Sequence, residues 1–233
     1  MTSAVDLKPM LRAKAISYAI GSPLTLIALV FPRQAGSIGL PAGFFIAVLV
    51  AAFGVSALLL ARVNPMIYRA RSRFQPGTKK WDLMLLAVLF PAFIGEIPLA
   101  ALDGGRMGWS DVPLWVVLIG YVLLIGGIAV TAWPQAVNPF FEPGVRIQKE
   151  RAQQVIASGP YRFVRHPGYG AAIAMFIGIA PALSSWWALL PAALAVALLV
   201  LRTGLEDGLL HSELPGYADY VRRTRYRLVP GLW

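Results

Sequence analysis

The sequence contains no cysteine, and only two of its 233 residues are histidine. A chain without cysteine forms no disulfide, offers no thiolate to a metal ion and has no cysteine nucleophile. We therefore expect no redox chemistry carried by the chain and no metal site. No G-x-G-x-x-G motif follows a predicted strand, so a Rossmann-type cofactor site is not expected either.

Charged residues are also scarce. They make up 14% of the chain, whereas a typical soluble domain contains about 25%. Hydrophobic residues reach 58%, and the mean hydropathy is +0.65. This composition predicts a membrane protein.

Four apolar runs are long enough to cross the roughly 30 Å of hydrocarbon in a bilayer. They lie at about 14–31, 40–61, 81–102 and 112–133. We interpret each of them as a spanning helix.

A fifth apolar stretch covers residues 169–201 and is interrupted by Pro181 and by Ser184 and Ser185. It predicts a helical hairpin with two arms of about 15 residues, each short for a full crossing. Such a hairpin is re-entrant or thins the bilayer locally, and it returns to the side that it left.

The basic residues fall almost entirely on one side of these spans. All but two of the 21 Lys and Arg residues lie in alternate connections, and the exceptions are Arg33 and Arg106. Because positive residues stay in the cytoplasm, we predict cytoplasmic termini in a multi-pass protein of a bacterial inner membrane. The net charge of +10 is explained by contact with anionic membrane lipids, so no nucleic-acid partner is expected.

The chain divides into an apolar part, 1–133, and a more polar part, 134–233. The polar part contains a long connection at 134–168, then the hairpin and a tail. Proline, glycine and aromatic residues in this connection favour an ordered cytoplasmic cap. We thus predict an all-α integral membrane protein with about four spanning helices, a C-terminal hairpin and a cytoplasmic cofactor-binding cap.

A dense polar and aromatic stretch, ASGPYRFVRHPGYGAAI at 157–173, leads into the hairpin, and LRTGLEDGLL at 201–210 follows its second arm. Because the two arms are antiparallel, the start of the first arm and the end of the second lie together at one end of the hairpin, here called the hairpin mouth. The side chains there are Arg165, His166 and Tyr169 on the first arm, and Arg202, Glu206 and Asp207 on the second. Arg202 and Glu206 share a helix face because they are four residues apart. An interfacial salt-bridge cluster that anchors the hairpin is the alternative interpretation.

These motifs carry a family resemblance. GPYRFVRHPGYGA is followed by LEDGLL, ELPGYADY and RYRLVPG, and this order resembles the C-terminal half of the isoprenylcysteine carboxyl methyltransferase and phospholipid methyltransferase superfamily. The resemblance covers about 134–233. In these integral membrane enzymes a G-x-Y-x-x-x-R-H-P-x-Y core and a pair of acids enclose S-adenosylmethionine. Many members have two glutamates where this chain has Glu206 and Asp207, which keeps both charges.

The resemblance implies S-adenosylmethionine as the cofactor, and it implies the residues that bind it. They are Gly159, Tyr161, Arg165, His166, Tyr169, Glu206 and Asp207. The guanidinium and imidazole suit the cofactor's carboxylate, and the tyrosine rings suit its sulfonium or adenine. The glycine permits close approach of the backbone, and the acids suit the ribose hydroxyls or the ammonium group.

Arg202 and Glu206 are the predicted catalytic residues. Methyl transfer is an in-line displacement, so the enzyme mainly aligns donor and acceptor and excludes water. Arg202 would position an anionic acceptor, or else it is the structural partner of Glu206. The implied acceptor is lipid-like or prenylated and enters from the bilayer. O-methylation of a carboxylate needs no general base, whereas N-methylation of an amine requires removal of a proton.

Two other functions stay open. Membrane sterol and steroid reductases use NADPH and resemble this core as R-H-P-N-Y, but Gly168 replaces the asparagine here. A non-enzymatic lipid-binding or transport protein is the second alternative. Glu96, an ionisable residue inside a span, indicates function by default, yet a kink-lining or snorkelling role fits it as well.

The asymmetry of basic residues generates a first prediction. A reporter fused after Trp233 should be active on the cytoplasmic side, because almost all positive residues share that side with the C terminus. Paired fusions of alkaline phosphatase and green fluorescent protein measure this. Phosphatase activity without fluorescence would contradict the predicted orientation.

Overall fold

The computed structural model describes residues 40–72, 74–103 and 107–233, and the predicted span at 14–31 lies outside these ranges. The regular structure in the described ranges is helical, without a strand, which confirms the predicted all-α fold. The α-helices are α1 Leu40–Val63, α2 Met66–Arg71, α3 Lys80–Leu102, α4 Leu114–Val137, α5 Pro167–Ala182, α6 Leu189–Glu213 and α7 Tyr217–Arg223. Short 3-10 helices at Lys149–Arg151 and Gly159–Arg162 lie in the connection between α4 and α5.

Four helices of the described chain are long and apolar enough to cross a membrane, namely α1, α3, α4 and α6. The first three confirm the spans predicted at 40–61, 81–102 and 112–133. The hairpin differs from the prediction in its second arm, because α6 has 25 residues whereas α5 has 16. No proline occurs in the polar stretch after Leu201, and the helix ends only before Pro215 and Gly216.

The turn between α5 and α6 is fixed to the connection between α3 and α4. The Asp103 carboxylate accepts hydrogen bonds from the hydroxyls of Ser110 and Ser185, each at 2.5 Å. The Ser110 hydroxyl in turn accepts one from the Trp186 amide at 2.9 Å. The short helix α5 therefore reaches the end of the bundle at which α3 ends and α4 begins.

Exposed tryptophan side chains gather at this same end. They are Trp109, Trp115, Trp186 and Trp187. Tryptophan is enriched where a membrane protein crosses the interface between hydrocarbon and water. Their position is consistent with the end of the bundle lying at one membrane surface.

Helix α5 packs against α4 through backbone-to-backbone contact at glycines. A Cβ atom on Gly127 would lie 2.8 Å from the carbonyl oxygen of Ala171, and one on Gly178 would lie 2.7 Å from that of Gly120. Small residues allow this close approach, which stabilises helix pairs in membranes by van der Waals contact. Helix α5 also contacts α3 and α6, so it lies at the centre of the bundle.

The close α4–α5 packing generates a second prediction. Gly127→Ala should lower the melting temperature of the protein in detergent, since overpacking typically costs about 1–3 kcal/mol. The matched control is Gly126→Ala on the same helix, because no atom lies within 4 Å of a Cβ at Gly126. Equal melting temperatures for the two variants would contradict this packing.

Candidate functional site

A cavity of about 590 Å³ lies among α1 to α6 and the connection between α4 and α5. Its apolar wall comes from the helices, with Phe53, Leu60, Leu89, Phe93 and Phe176. Its polar wall comes from the connection and from the helix ends at the hairpin mouth. The volume is within the range of about 300–1,000 Å³ found for small-molecule sites.

Asp207 on α6 is the most heavily bonded side chain at the hairpin mouth. Its Oδ1 accepts hydrogen bonds from Arg165 Nε at 2.8 Å, His166 Nε2 at 3.1 Å and the Tyr217 hydroxyl at 2.7 Å. Its Oδ2 accepts from Arg165 Nη2 at 2.9 Å and Arg227 Nε at 2.8 Å. These bonds occupy the carboxylate, and Asp207 does not line the cavity.

The Arg165 guanidinium is similarly committed to protein contacts. Besides the two bonds to Asp207, its Nη1 donates to the carbonyls of Thr224 at 2.9 Å and Arg225 at 2.6 Å. Burial by itself lowers the pKa of Arg165, but the hydrogen bond and charge of Asp207 outweigh it and raise that pKa. Four of its five N–H groups are thus used within the chain. This half of the predicted cluster anchors the hairpin to the tail.

Glu206, the residue before Asp207, has a different environment. Its Oε2 accepts a hydrogen bond of 2.5 Å from the Tyr169 hydroxyl, and its Oε1 has no partner among the described residues. The Tyr169 ring stacks on His166 with centroids 5.7 Å apart, and Arg202 Cζ lies 5.1 Å from its centroid. All four residues line the cavity.

Arg202 is paired with Asp82 on α3 rather than with Glu206. Its Nε and Nη2 donate to the two oxygens of Asp82 at 2.6 and 3.1 Å, and Nη2 also donates to the Pro143 carbonyl at 2.7 Å. Asp82 is fully buried and accepts a further bond from the Val145 amide at 2.7 Å. Asp82 was not among the predicted site residues, because beside Lys79 and Lys80 it resembles an ordinary charge at a helix start.

The structure brings six of the eight predicted site residues to the cavity wall. They are Tyr161, Arg165, His166, Tyr169, Arg202 and Glu206. Asp207 and Gly159 lie outside it. Gly159 has φ of +58°, and a Cβ there would lie 3.2 Å from Trp133 Nε1, so this position requires glycine for backbone conformation and packing.

Tyrosines of α7 complete the polar wall. The Tyr220 hydroxyl donates to the Tyr161 carbonyl at 2.6 Å, and the Tyr161 hydroxyl accepts from Asn138 Nδ2 at 2.9 Å. Burial raises the pKa of Tyr220 to about 12, so its phenol stays neutral at physiological pH. Tyr217 and Tyr220 are buried and line the cavity.

Gly168 provides space for an aromatic ring at the start of α5. A Cβ at this position would lie 3.0 Å from two atoms of the Phe141 ring. An asparagine at residue 168, as in the R-H-P-N-Y pattern, would require this ring to move. The observed packing is therefore specific to the glycine of this chain.

Glu96 lies outside the cavity, in the interior of α3. Its side chain is fully buried, and neither carboxylate oxygen has a hydrogen-bond partner in the described ranges. A snorkelling side chain would reach the surface, so that interpretation is wrong. Within the same ranges, no group of three histidine, aspartate or glutamate residues is arranged to hold a metal ion.

The fold and this cavity define a helical membrane protein with a site that is polar at one end and apolar at the other. Residues 115–212 match the phospholipid methyltransferase family. This match confirms, over residues 115–212, the resemblance to the isoprenylcysteine carboxyl methyltransferase and phospholipid methyltransferase superfamily that the motifs predicted. No curated protein matches the chain.

The hydrogen bonds to both oxygens of Asp207 generate a third prediction. Asp207→Asn should lower the melting temperature strongly, because leaving buried arginines without their charge partner costs about 3–5 kcal/mol. The matched control is Asp219→Asn, since the Asp219 side chain is 68% exposed and contacts only an exposed arginine. If both variants melted at the temperature of the unmodified protein, Asp207 would not be the anchor of the hairpin mouth.

Proposed function

We propose that the protein is an integral membrane methyltransferase that uses S-adenosylmethionine to methylate a lipid-like or prenylated acceptor. The reaction is O-methylation of a carboxylate or N-methylation of an amine. The match to the phospholipid methyltransferase family supports the reaction class. With both termini in the cytoplasm of a bacterial cell, the polar end of the cavity would face the cytosol, where the cofactor is dissolved.

The single observation that carries this proposal is that polar and apolar walls meet in one cavity. Glu206 and Tyr169 lie at its polar end, and Leu89, Phe93 and Phe176 line its apolar end. A water-soluble cofactor and a lipid chain have opposite solvation requirements, and this cavity meets both. Because methyl transfer requires the two reactants in contact, one shared cavity is the arrangement that the reaction needs.

The residues at the polar end fit the parts of S-adenosylmethionine. When bound, it supplies a methyl group activated by a sulfonium. The rings of Tyr161 and Tyr169 can face a sulfonium or stack on adenine. The accessible oxygen of Glu206 suits a cationic or hydroxyl group. We propose that Arg165 and His166 act through Asp207, as positioning residues that hold the wall around these groups.

The transfer forms one bond and breaks one. The acceptor's oxygen or nitrogen bonds to the methyl carbon, and the carbon–sulfur bond breaks to leave a neutral thioether. A carboxylate acceptor becomes a neutral ester, whereas an ammonium acceptor must first lose a proton.

The alternatives gain no support from the site. The asparagine of the reductase pattern is replaced by Gly168, whose space is taken by Phe141. A lipid-binding or transport protein needs an apolar cavity, but it does not need the partly exposed carboxylate of Glu206.

A calorimetric titration of the purified protein in detergent tests the cofactor. We expect saturable binding of S-adenosylhomocysteine, the product of the proposed reaction, and none of NADPH. Titration of both compounds into detergent micelles alone is the control. Binding of NADPH without S-adenosylhomocysteine would support a reductase, and binding of neither would favour a non-enzymatic protein.

A further inference from the structure

Most charged side chains on the cavity wall have an opposite charge beside them. Arg146 pairs with Glu142 at 2.7 Å, Arg165 with Asp207 at 2.8 Å and Arg202 with Asp82 at 2.6 Å. Two lining residues of opposite sign form no ion pair with any described residue. They are Arg71 and Glu206.

Arg71 is the last residue of α2, and its side chain is accessible from the cavity. The residue is exposed, yet neighbouring protein removes part of the water around its guanidinium, and this desolvation lowers the pKa of Arg71. Tyr169 and Arg202 are close enough to act on it electrostatically. Its N–H groups have no acceptor in the described ranges, so they are available to a ligand.

Phe141 determines where this guanidinium lies. Arg71 Cζ is 5.2 Å from the centroid of the Phe141 ring, a cation–π arrangement. The same ring lies against Gly168 at the start of α5, where a larger residue would displace it. The glycine of the R-H-P-G-Y stretch thereby leaves room for the ring over which Arg71 lies.

We propose that Arg71 binds the carboxylate of the cofactor's amino-acid end while Glu206 binds the neighbouring ammonium group. This inference rests on the proposed function. An α-amino acid carries both charges on one carbon, and Tyr169 both contacts Glu206 and acts electrostatically on Arg71. A guanidinium with free N–H groups can hold a carboxylate in two parallel hydrogen bonds. Arg165 has one N–H group left and cannot do so.

With Arg71 and Phe141, the proposed cofactor site is built from residues before the segment 115–212 as well as from residues within it. Arg71 precedes the segment 115–212 that matches the family, whereas Phe141, Gly168 and Glu206 lie within it. The amino-terminal helices would thus contribute to cofactor binding as well as to the apolar wall. Arg71 would be a specificity-determining residue for the amino-acid end.

Two ligands that differ only in this end test the proposal. S-adenosylhomocysteine carries the amino acid, and 5′-methylthioadenosine keeps the adenosine and sulfur without it. Loss of a charged hydrogen bond should weaken binding of S-adenosylhomocysteine to Arg71→Gln by about 10- to 100-fold. Binding of methylthioadenosine should stay unchanged, and calorimetry measures both dissociation constants.

Arg62→Gln is the matched control, because it removes the same charge from an exposed residue outside the cavity wall. It should leave both affinities unchanged. Arg71→Lys keeps the charge without the forked geometry, so it should fall between Arg71→Gln and the unmodified protein. If Arg71→Gln does not fold, Arg71→Lys alone must still weaken the binding of S-adenosylhomocysteine more than that of methylthioadenosine.

Two results would overturn the inference while the proposed function stands. Equal weakening of both ligands would show that Arg71 only supports the cavity. Unchanged affinity for S-adenosylhomocysteine with a raised KM for the acceptor would show that Arg71 binds an anionic headgroup of the acceptor instead. If the unmodified protein binds neither ligand, the proposed function itself fails.

Discussion

The arrangement of the site depends on one buried carboxylate. Asp207 receives hydrogen bonds from Arg165 and His166 before α5, from Tyr217 in α7 and from Arg227 after it. A buried charge is tolerated only when its partners are complete, so these segments are held in one arrangement. The fixed wall that results leaves the preceding residue, Glu206, facing the cavity with one oxygen that has no partner among the described residues. Of these two consecutive acids, Asp207 is structural, and Glu206 is the one that we propose binds a ligand.

The same division applies to the arginines of the cavity. Arg165 and Arg202 are bound to buried aspartates, and these two ion pairs connect α6 to the segment before α5 and to α3. Among the described residues Arg71 has no acidic partner, and it lies over the face of an aromatic ring. Charges that are paired inside the protein help to define the shape of the cavity, and Arg71 and Glu206 are the two left open to a ligand. Under the proposed function, this separation would let a chain with few charged residues hold a zwitterionic cofactor beside an apolar wall.

The sequence predicted the spans because long apolar runs have few other interpretations. It also predicted that Arg165, His166 and Tyr169 would meet Arg202, Glu206 and Asp207, since the arms of a hairpin are antiparallel. It did not predict the pairing of Arg202 with Asp82, because no local spacing connects residues 120 positions apart. Arg71 was one of many basic residues at a membrane surface, and only the packing of Phe141 on Gly168 distinguishes it. The length of α6 was underestimated because its polar last turns end the apolar run but contain no proline that would end the helix.

The proposed methyltransferase function is tested most directly by transfer of a deuterated methyl group from S-adenosylmethionine to a membrane lipid. The purified protein would be incubated with the labelled cofactor and a lipid extract of its own host membrane, and the lipids would be analysed by mass spectrometry. We expect a lipid that carries the label on a carboxylate oxygen or an amine nitrogen. Heat-inactivated protein should yield no labelled lipid. Protein that binds S-adenosylhomocysteine yet labels no lipid in the extract would contradict the proposed function.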